Sequence, residues 1–116
     1  MFEGQYSFSS RFEEGEGTNP EELIGAAHAS CFAMALSLVL GEEGHPPESL
    51  RARAKVHLRN VDGLPTIARI DLEVEGAVPG IDDDAFRSCA EKAKDGCPVS
   101  RALAGVPEIE LEARLL

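Results

Sequence analysis

Between Leu50 and Arg59 apolar and polar residues alternate strictly. Leu50, Ala52, Ala54, Val56 and Leu58 stand against Arg51, Arg53, Lys55, His57 and Arg59. Ile70, Leu72 and Val74 repeat the pattern against Arg69, Asp71, Glu73 and Glu75. A period of two belongs to a strand with one face buried. The connection Asn60-Val61-Asp62-Gly63-Leu64-Pro65 carries the turn residues of a hairpin. The outer face of the first strand is basic and that of the second acidic, so opposite charges are available to pair across a solvated face. Ile109, Leu111, Ala113 and Leu115 alternate as a final strand. Near the start, Tyr6 and Phe8 form a shorter alternation that reads as an edge strand leading to Arg11.

Two segments change period. Thr18-Asn19-Pro20-Glu21-Glu22 reads as a helix start, with Asn19 as N-cap, Pro20 at the first helical position and Glu22 as capping-box partner. Glu21 is the carboxylate left for other work. The helix is expected to run to about Leu40, with Gly41 or Gly44 as its stop. Leu23 to Leu40 approaches membrane-spanning length, but His28, Ser30, Ser37 and several alanines mark it as a buried core helix. Being apolar almost all round, it should be enclosed by protein on most sides. Pro79-Gly80 makes a turn, and Asp82-Asp83-Asp84 opens a second helix with acid at the positive end of its dipole. Phe86, Cys89, Ala90 and Ala93 fall at helical spacing, which puts Cys89 on a buried face as a structural residue. Gly96 ends that helix, and Cys97-Pro98 starts a short one through Leu103. The order strand, long helix, hairpin, helix, strand defines an α+β class in one domain spanning residues 1–116.

Composition narrows the function. The formal net charge of −10 argues against nucleic acid and against an anionic membrane surface. Small-molecule or protein partners remain. A core this small makes docking against a second copy a natural route to stability. Three cysteines with no close pair do not make a secreted disulfide framework, and metal-type C-x-x-C spacings are absent. Met1-Phe2-Glu3-Gly4-Gln5 has neither a basic n-region nor an apolar h-region, so a cytoplasmic location is expected.

The candidate chemistry lies in two cysteines in unlike settings. Cys31 sits within the apolar, small-residue helix, and Cys97 at a turn just before Pro98. A sheltered nucleophile and a second thiol that resolves it are the parts of two-step thiol redox chemistry. A thiolate needs a cation or donor nearby, and Cys31 has no cation close on its own helix. Arg11 is the nearest strong candidate, and Glu21 fits as the carboxylate that fixes its guanidinium. Glu21 and Cys31 are ten residues apart, about 15 Å on one straight helix. Either the helix breaks near Gly25 or the Arg–Glu pair comes from a second subunit, and the second is preferred. His28, three residues before Cys31, invites a Cys–His base reading or a metal reading with His57 or Cys97. With no third group indicated, it reads as a packing residue with a hydrogen-bonded imidazole.

The run from Arg11-Phe12-Glu13 through Gly17-Thr18-Asn19-Pro20-Glu21-Glu22-Leu23-Ile24-Gly25-Ala26-Ala27-His28-Ala29-Ser30-Cys31 to Ser37 resembles the core motif of the OsmC family. These are osmotically inducible, organic-hydroperoxide-reducing proteins. Val78-Pro79-Gly80-Ile81-Asp82 and Lys92 to Ser100 resemble its later landmarks. The likeness favours the OsmC branch over the organic hydroperoxide resistance branch, which typically has a tyrosine near the His28 position. It implies an intertwined homodimer with two long central helices back to back, antiparallel sheets outside, and active sites at the interface. It carries the peroxide-attacking cysteine onto Cys31, the resolving cysteine onto Cys97, the carboxylate onto Glu21 and the activating arginine onto Arg11. The family begins with a further β-hairpin before the arginine segment, so a shortened N-terminal hairpin is expected.

The expected activity is therefore thiol-dependent reduction of organic hydroperoxides, ending in a Cys31–Cys97 disulfide that a dithiol reductant, of lipoyl type or a small thiol, reopens. No metal or organic cofactor is required. Phe32, Met34, Leu23 and Ile24 are expected to line the site and favour alkyl or lipid peroxides. The alternative is a non-catalytic dimeric stress protein that binds a small apolar ligand.

Overall fold

In the computed structural model, which describes residues 4, 5, 11 and 17–116, the alternating segments form one long hairpin. Strands β1 (Ser49–Val61) and β2 (Leu64–Ala77) pair antiparallel from Ser49 opposite Ala77 to Val61 opposite Leu64. Asp62 and Gly63 turn the chain with φ of 53° and 81°, the left-handed pair that matches strand twist in a two-residue hairpin. Asn60 Oδ1 accepts the Gly63 N–H at 2.9 Å. The register sets Arg51 opposite Glu75, Arg53 opposite Glu73 and Lys55 opposite Asp71. The Arg53 and Lys55 cations stand 3.9 and 3.4 Å from Glu73. These half-solvated pairs are each worth little, and the register is held mainly by the buried face, which a one-residue slip would turn to solvent.

The final strand, β3 (Glu108–Leu115), lies beside β2 and parallel to it. The sheet is therefore mixed, in the order β1-β2-β3, and not wholly antiparallel as the expectation had it. The reason is the connection. Residues 78–107 hold α2 and α3 and cross over the sheet, and helical crossovers of this length return a chain in the same direction.

Helix α1 (Pro20–Glu42) begins as the capping residues require. Asn19 Oδ1 accepts the Glu22 N–H at 2.9 Å, and the Thr18 hydroxyl donates to the Glu22 carboxylate at 2.8 Å. It ends two residues beyond Leu40, where Gly44 turns away at φ 86°. The helix runs unbroken through Gly25, which faces β1. A Cβ there would stand 3.4 Å from the Ala54 carbonyl oxygen and the Val56 side chain. Helix α2 (Asp83–Gly96) is capped by Asp82, whose carboxylate accepts the Ala85 N–H at 2.8 Å. The short α3 (Pro98–Ala102) follows at once.

The core lies between sheet and helices. Phe32, Leu36 and Leu40 of α1 meet Ile70, Leu72 and Val74 of β2 and Phe86, Ala90 and Ala93 of α2. One stripe of α1 is buried: Glu21, Gly25, His28, Phe32, Leu36 and Leu40. The opposite face is open, with Leu23, Met34 and Leu38 exposed by 44, 74 and 64 %. A helix expected to be enclosed on most sides is thus covered on one side, because a three-stranded sheet and two helices span only that much of its girth. By length and hydropathy α1 would qualify as a membrane span, yet its buried stripe carries a glutamate and a histidine and packs on β1 and α2. The edge strand expected at Tyr6 and Phe8 lies outside the described residues.

Candidate functional site

The α2–α3 junction brings Cys97 under α1, where it meets Cys31. Both thiols are free, and Cys31 packs against the core cluster that holds Cys97, close enough for each thiol to shift the other. Their settings differ as the sequence suggested. Cys97 is wholly enclosed, whereas Cys31 is partly open to solvent.

Backbone and side-chain donors from α3 gather around this pair. Burial pushes the Cys97 thiol up, but the Cys31 thiol, the Ser100 N–H and hydroxyl and the Val99 N–H together bring it below its ordinary value. Cys31 moves the other way: its hydrogen bond to Cys97 and its burial raise it, against the Val99 N–H.

Arg11 and Glu21 form a second cluster. Arg11 Nε donates to Glu21 Oε1 at 2.8 Å, and Nη2 donates to the same oxygen. The carboxylate is nearly enclosed, with its side chain 9 % exposed. Its other oxygen, Oε2, is buried and has no hydrogen-bond partner among the described residues. The pair opens onto a cleft of about 430 Å³ also lined by Asn19, Val56, His57 and Arg59. The guanidinium and carboxylate thus meet as expected, but ten residues, about 15 Å, up an unbroken helix from Cys31. Of the two ways to unite the clusters, a break near Gly25 is not the one this chain takes.

Other expectations are corrected. Phe32 does not line a site, since it is fully enclosed in the core beside Leu36. Leu23 and Met34 lie on the open side of α1, where one chain alone encloses no site. His28 is the packing residue anticipated, and its Nε2 stands 2.7 Å from Ser100 Oγ rather than serving as base to Cys31. His57 pairs with Asp71 across the hairpin at 2.7 Å. Cys89 sits on the buried face of α2, its thiol pushed up chiefly by burial. Ser100 went unrecognised in the sequence. The one available signal was its place three residues after Cys97, where a hydroxyl folds back onto a turn residue.

These features define an α+β protein with a paired-thiol centre under a long helix. Residues 13–112 match the family described as OsmC-like protein, and the chain belongs to that family. It is 54 % identical over 110 residues to Peroxiredoxin OsmC of Escherichia coli strain K12, covering 95 % of this chain and 76 % of that one. It is 32 % identical over 100 residues to the organic hydroperoxide resistance protein of Xanthomonas axonopodis pv. citri, with 84 % and 67 % covered. The crystal structure of the organic hydroperoxide resistance protein OhrB of Bacillus subtilis matches the fold with a TM-score of 0.75. Identity there is 26 %, over 96 % of this chain and 79 % of that one.

Proposed function

We propose that this chain is a cytoplasmic thiol peroxidase of oxidative and osmotic stress defence that reduces alkyl or lipid hydroperoxides. The observation that carries the reading is the contact between a partly open Cys31 and an enclosed Cys97. The names of the relatives support a hydroperoxide substrate. Access decides the order of the thiols. Cys97 holds charge more readily, yet at 0 % exposure it cannot meet a peroxide first.

Cys31 as thiolate attacks the distal peroxide oxygen. The O–O bond breaks, sulfur is oxidised to sulfenic acid, and the alkoxide takes a proton and leaves as alcohol. The Cys97 sulfur then attacks Cys31, forming the S–S bond, and the hydroxyl departs as water with the proton of the second thiol. A dithiol reductant, small or lipoyl-type, reopens the disulfide by exchange and is itself oxidised.

Cys31 needs a cation in the first step, and its own Arg11 is held at Glu21, far up the helix. A homodimer that packs the open faces of two α1 helices together supplies it, the partner subunit's Arg11–Glu21 pair lying over Cys31. The exposed Leu23, Met34 and Leu38, and a Glu21 Oε2 without a partner among the described residues, support an arrangement that a single chain leaves incomplete.

The test is consumption of cumene hydroperoxide with a dithiol, followed by peptide mapping after one equivalent of peroxide. Activity should vanish in Cys31→Ser, and the crosslink should join Cys31 to Cys97 with Cys89 free. Undiminished activity in Cys31→Ser, or Cys89 in the main crosslink, would refute the assignment.

A further inference from the structure

His28 and Ser100 have no part in the chemistry above, yet both are buried and both belong to the same cluster. Ser100 is 9 % exposed and His28 0 %, and they meet at 2.7 Å. Ser100 follows Cys97 by three residues at the start of α3, and its hydroxyl is among the groups that lower the Cys97 thiol. A chain of contacts therefore runs from His28 through Ser100 to Cys97 and on to Cys31.

Its direction follows from counting protons. Burial lowers the His28 pKa and keeps the ring neutral, so it carries one N–H. Its Nδ1 is buried without a partner among the described residues. Were the proton on Nδ1, an enclosed N–H donor would be left unmade, a rarer and costlier state than an unused acceptor lone pair. The proton therefore belongs on Nε2, which makes the ring the donor to Ser100 Oγ. Ser100 has a single hydroxyl proton, and with its oxygen already accepting from His28, that proton is free for sulfur.

We propose that Ser100 and His28 are positioning residues for the resolving step: His28 Nε2–H orients the Ser100 hydroxyl, which donates to the Cys97 sulfur and aims it at Cys31. The influences on that sulfur come from two elements, the Cys31 thiol of α1 and the Val99 and Ser100 donors of α3. When Cys97 attacks the sulfenic acid, the Ser100 donor steadies it as the thiolate, which is the form that attacks. The role in turnover rests on the reading of Cys97 as the resolving thiol, whereas the hydrogen-bond chain does not.

Two measurements test it, both on the full chain. In the reduced protein, carbon NMR of labelled cysteine follows the titration of each thiol. Ser100→Ala should raise the Cys97 pKa by about one to two units, the worth of one hydrogen bond to a charged group. Ser100→Thr, which keeps the hydroxyl, should restore it. His28→Leu should produce a smaller rise, and His28→Gln, which keeps an amide N–H at similar reach, should reverse it. The two conservative variants guard against loss of fold in the others.

The second measurement is a single turnover with one equivalent of hydroperoxide, trapping the Cys31 sulfenic acid with dimedone. Each unit of pKa removes about nine-tenths of the thiolate at pH below its pKa but makes what remains more nucleophilic. Closure should then slow by roughly threefold per unit, with more trapped Cys31. An unchanged Cys97 pKa in both Ser100→Ala and His28→Leu overturns the proposal. A raised pKa with unchanged closure overturns the role in the resolving step, whereas a crosslink that lacks Cys97 refutes the proposed function instead.

Discussion

The side chain of His28 illustrates what burial does to a titratable group when its partner is a hydroxyl and not a carboxylate. Nothing beside it rewards a positive charge, so its folded pKa lies below the ordinary 6.5. The unfolded chain takes up a proton as pH falls through 6.5, and the folded one refuses it. The stabilisation is therefore complete above that pH and is lost from 6.5 down toward the folded value, with a slope of at most about 1.4 kcal/mol per pH unit. Asp71 is lowered too, but because its charged form is favoured. Its hydrogen bond to His57 and its pairing with Arg69 hold it below 3.8, so its contribution is lost only at lower pH and does not overlap. Urea unfolding across the upper window should show a slope in the native chain that His28→Gln flattens, and equal slopes would contradict it. That His28 packs through a hydrogen-bonded ring could be read from its apolar helix. That its partner is Ser100 could not, because 72 residues separate the two and no local periodicity links them.

Among the elements, legibility followed polarity. Strands with one wet face and helices with polar caps announced their limits, so β1, β2, α2 and the start of α1 lie where the alternation and the caps put them. α1 offered no such contrast. Apolar residues surround it, so nothing in the pattern told the stripe on the core from the stripe left open, and Phe32 was expected on the wrong side. The direction of β3 is a property of its connection rather than of its own alternation, and the two helices before it already implied a parallel return. Packing at the end of β2 carries a sharper constraint. A Cβ at Gly76 would stand 2.8 Å from Phe86 Cζ and 2.9 Å from Leu50 Cδ2, both in the core or packed against it. Gly76→Ala should therefore cost about 1–3 kcal/mol, as overpacked cores do. Thermal unfolding measures this, and a variant as stable as the parent would mean that Phe86 can move aside freely.

For the whole molecule the decisive fact is a distance along one helix. Cys31 and the Arg11–Glu21 pair are both well formed, yet an unbroken α1 holds them about 15 Å apart. The sequence already contained this separation, and the unbroken helix excludes the break near Gly25 that would have closed it. In an isologous dimer the same surface meets itself. A helix face bearing exposed Met34 and Leu38 can then lie against its copy and set one chain's Arg11–Glu21 pair over the other's Cys31. Mixing a Cys31→Ser variant with a Glu21→Ala variant separates the two arrangements. If sites are shared, subunit exchange creates a heterodimer in which the remaining Cys31 faces the partner's intact Glu21. Activity should rise from near zero to about a quarter of the native level, the share of complete sites in a randomly exchanged symmetric dimer. If mass analysis verifies exchange and activity stays at the level of the separate variants, each chain builds its site alone. Arg11 would then have to leave Glu21 to serve Cys31.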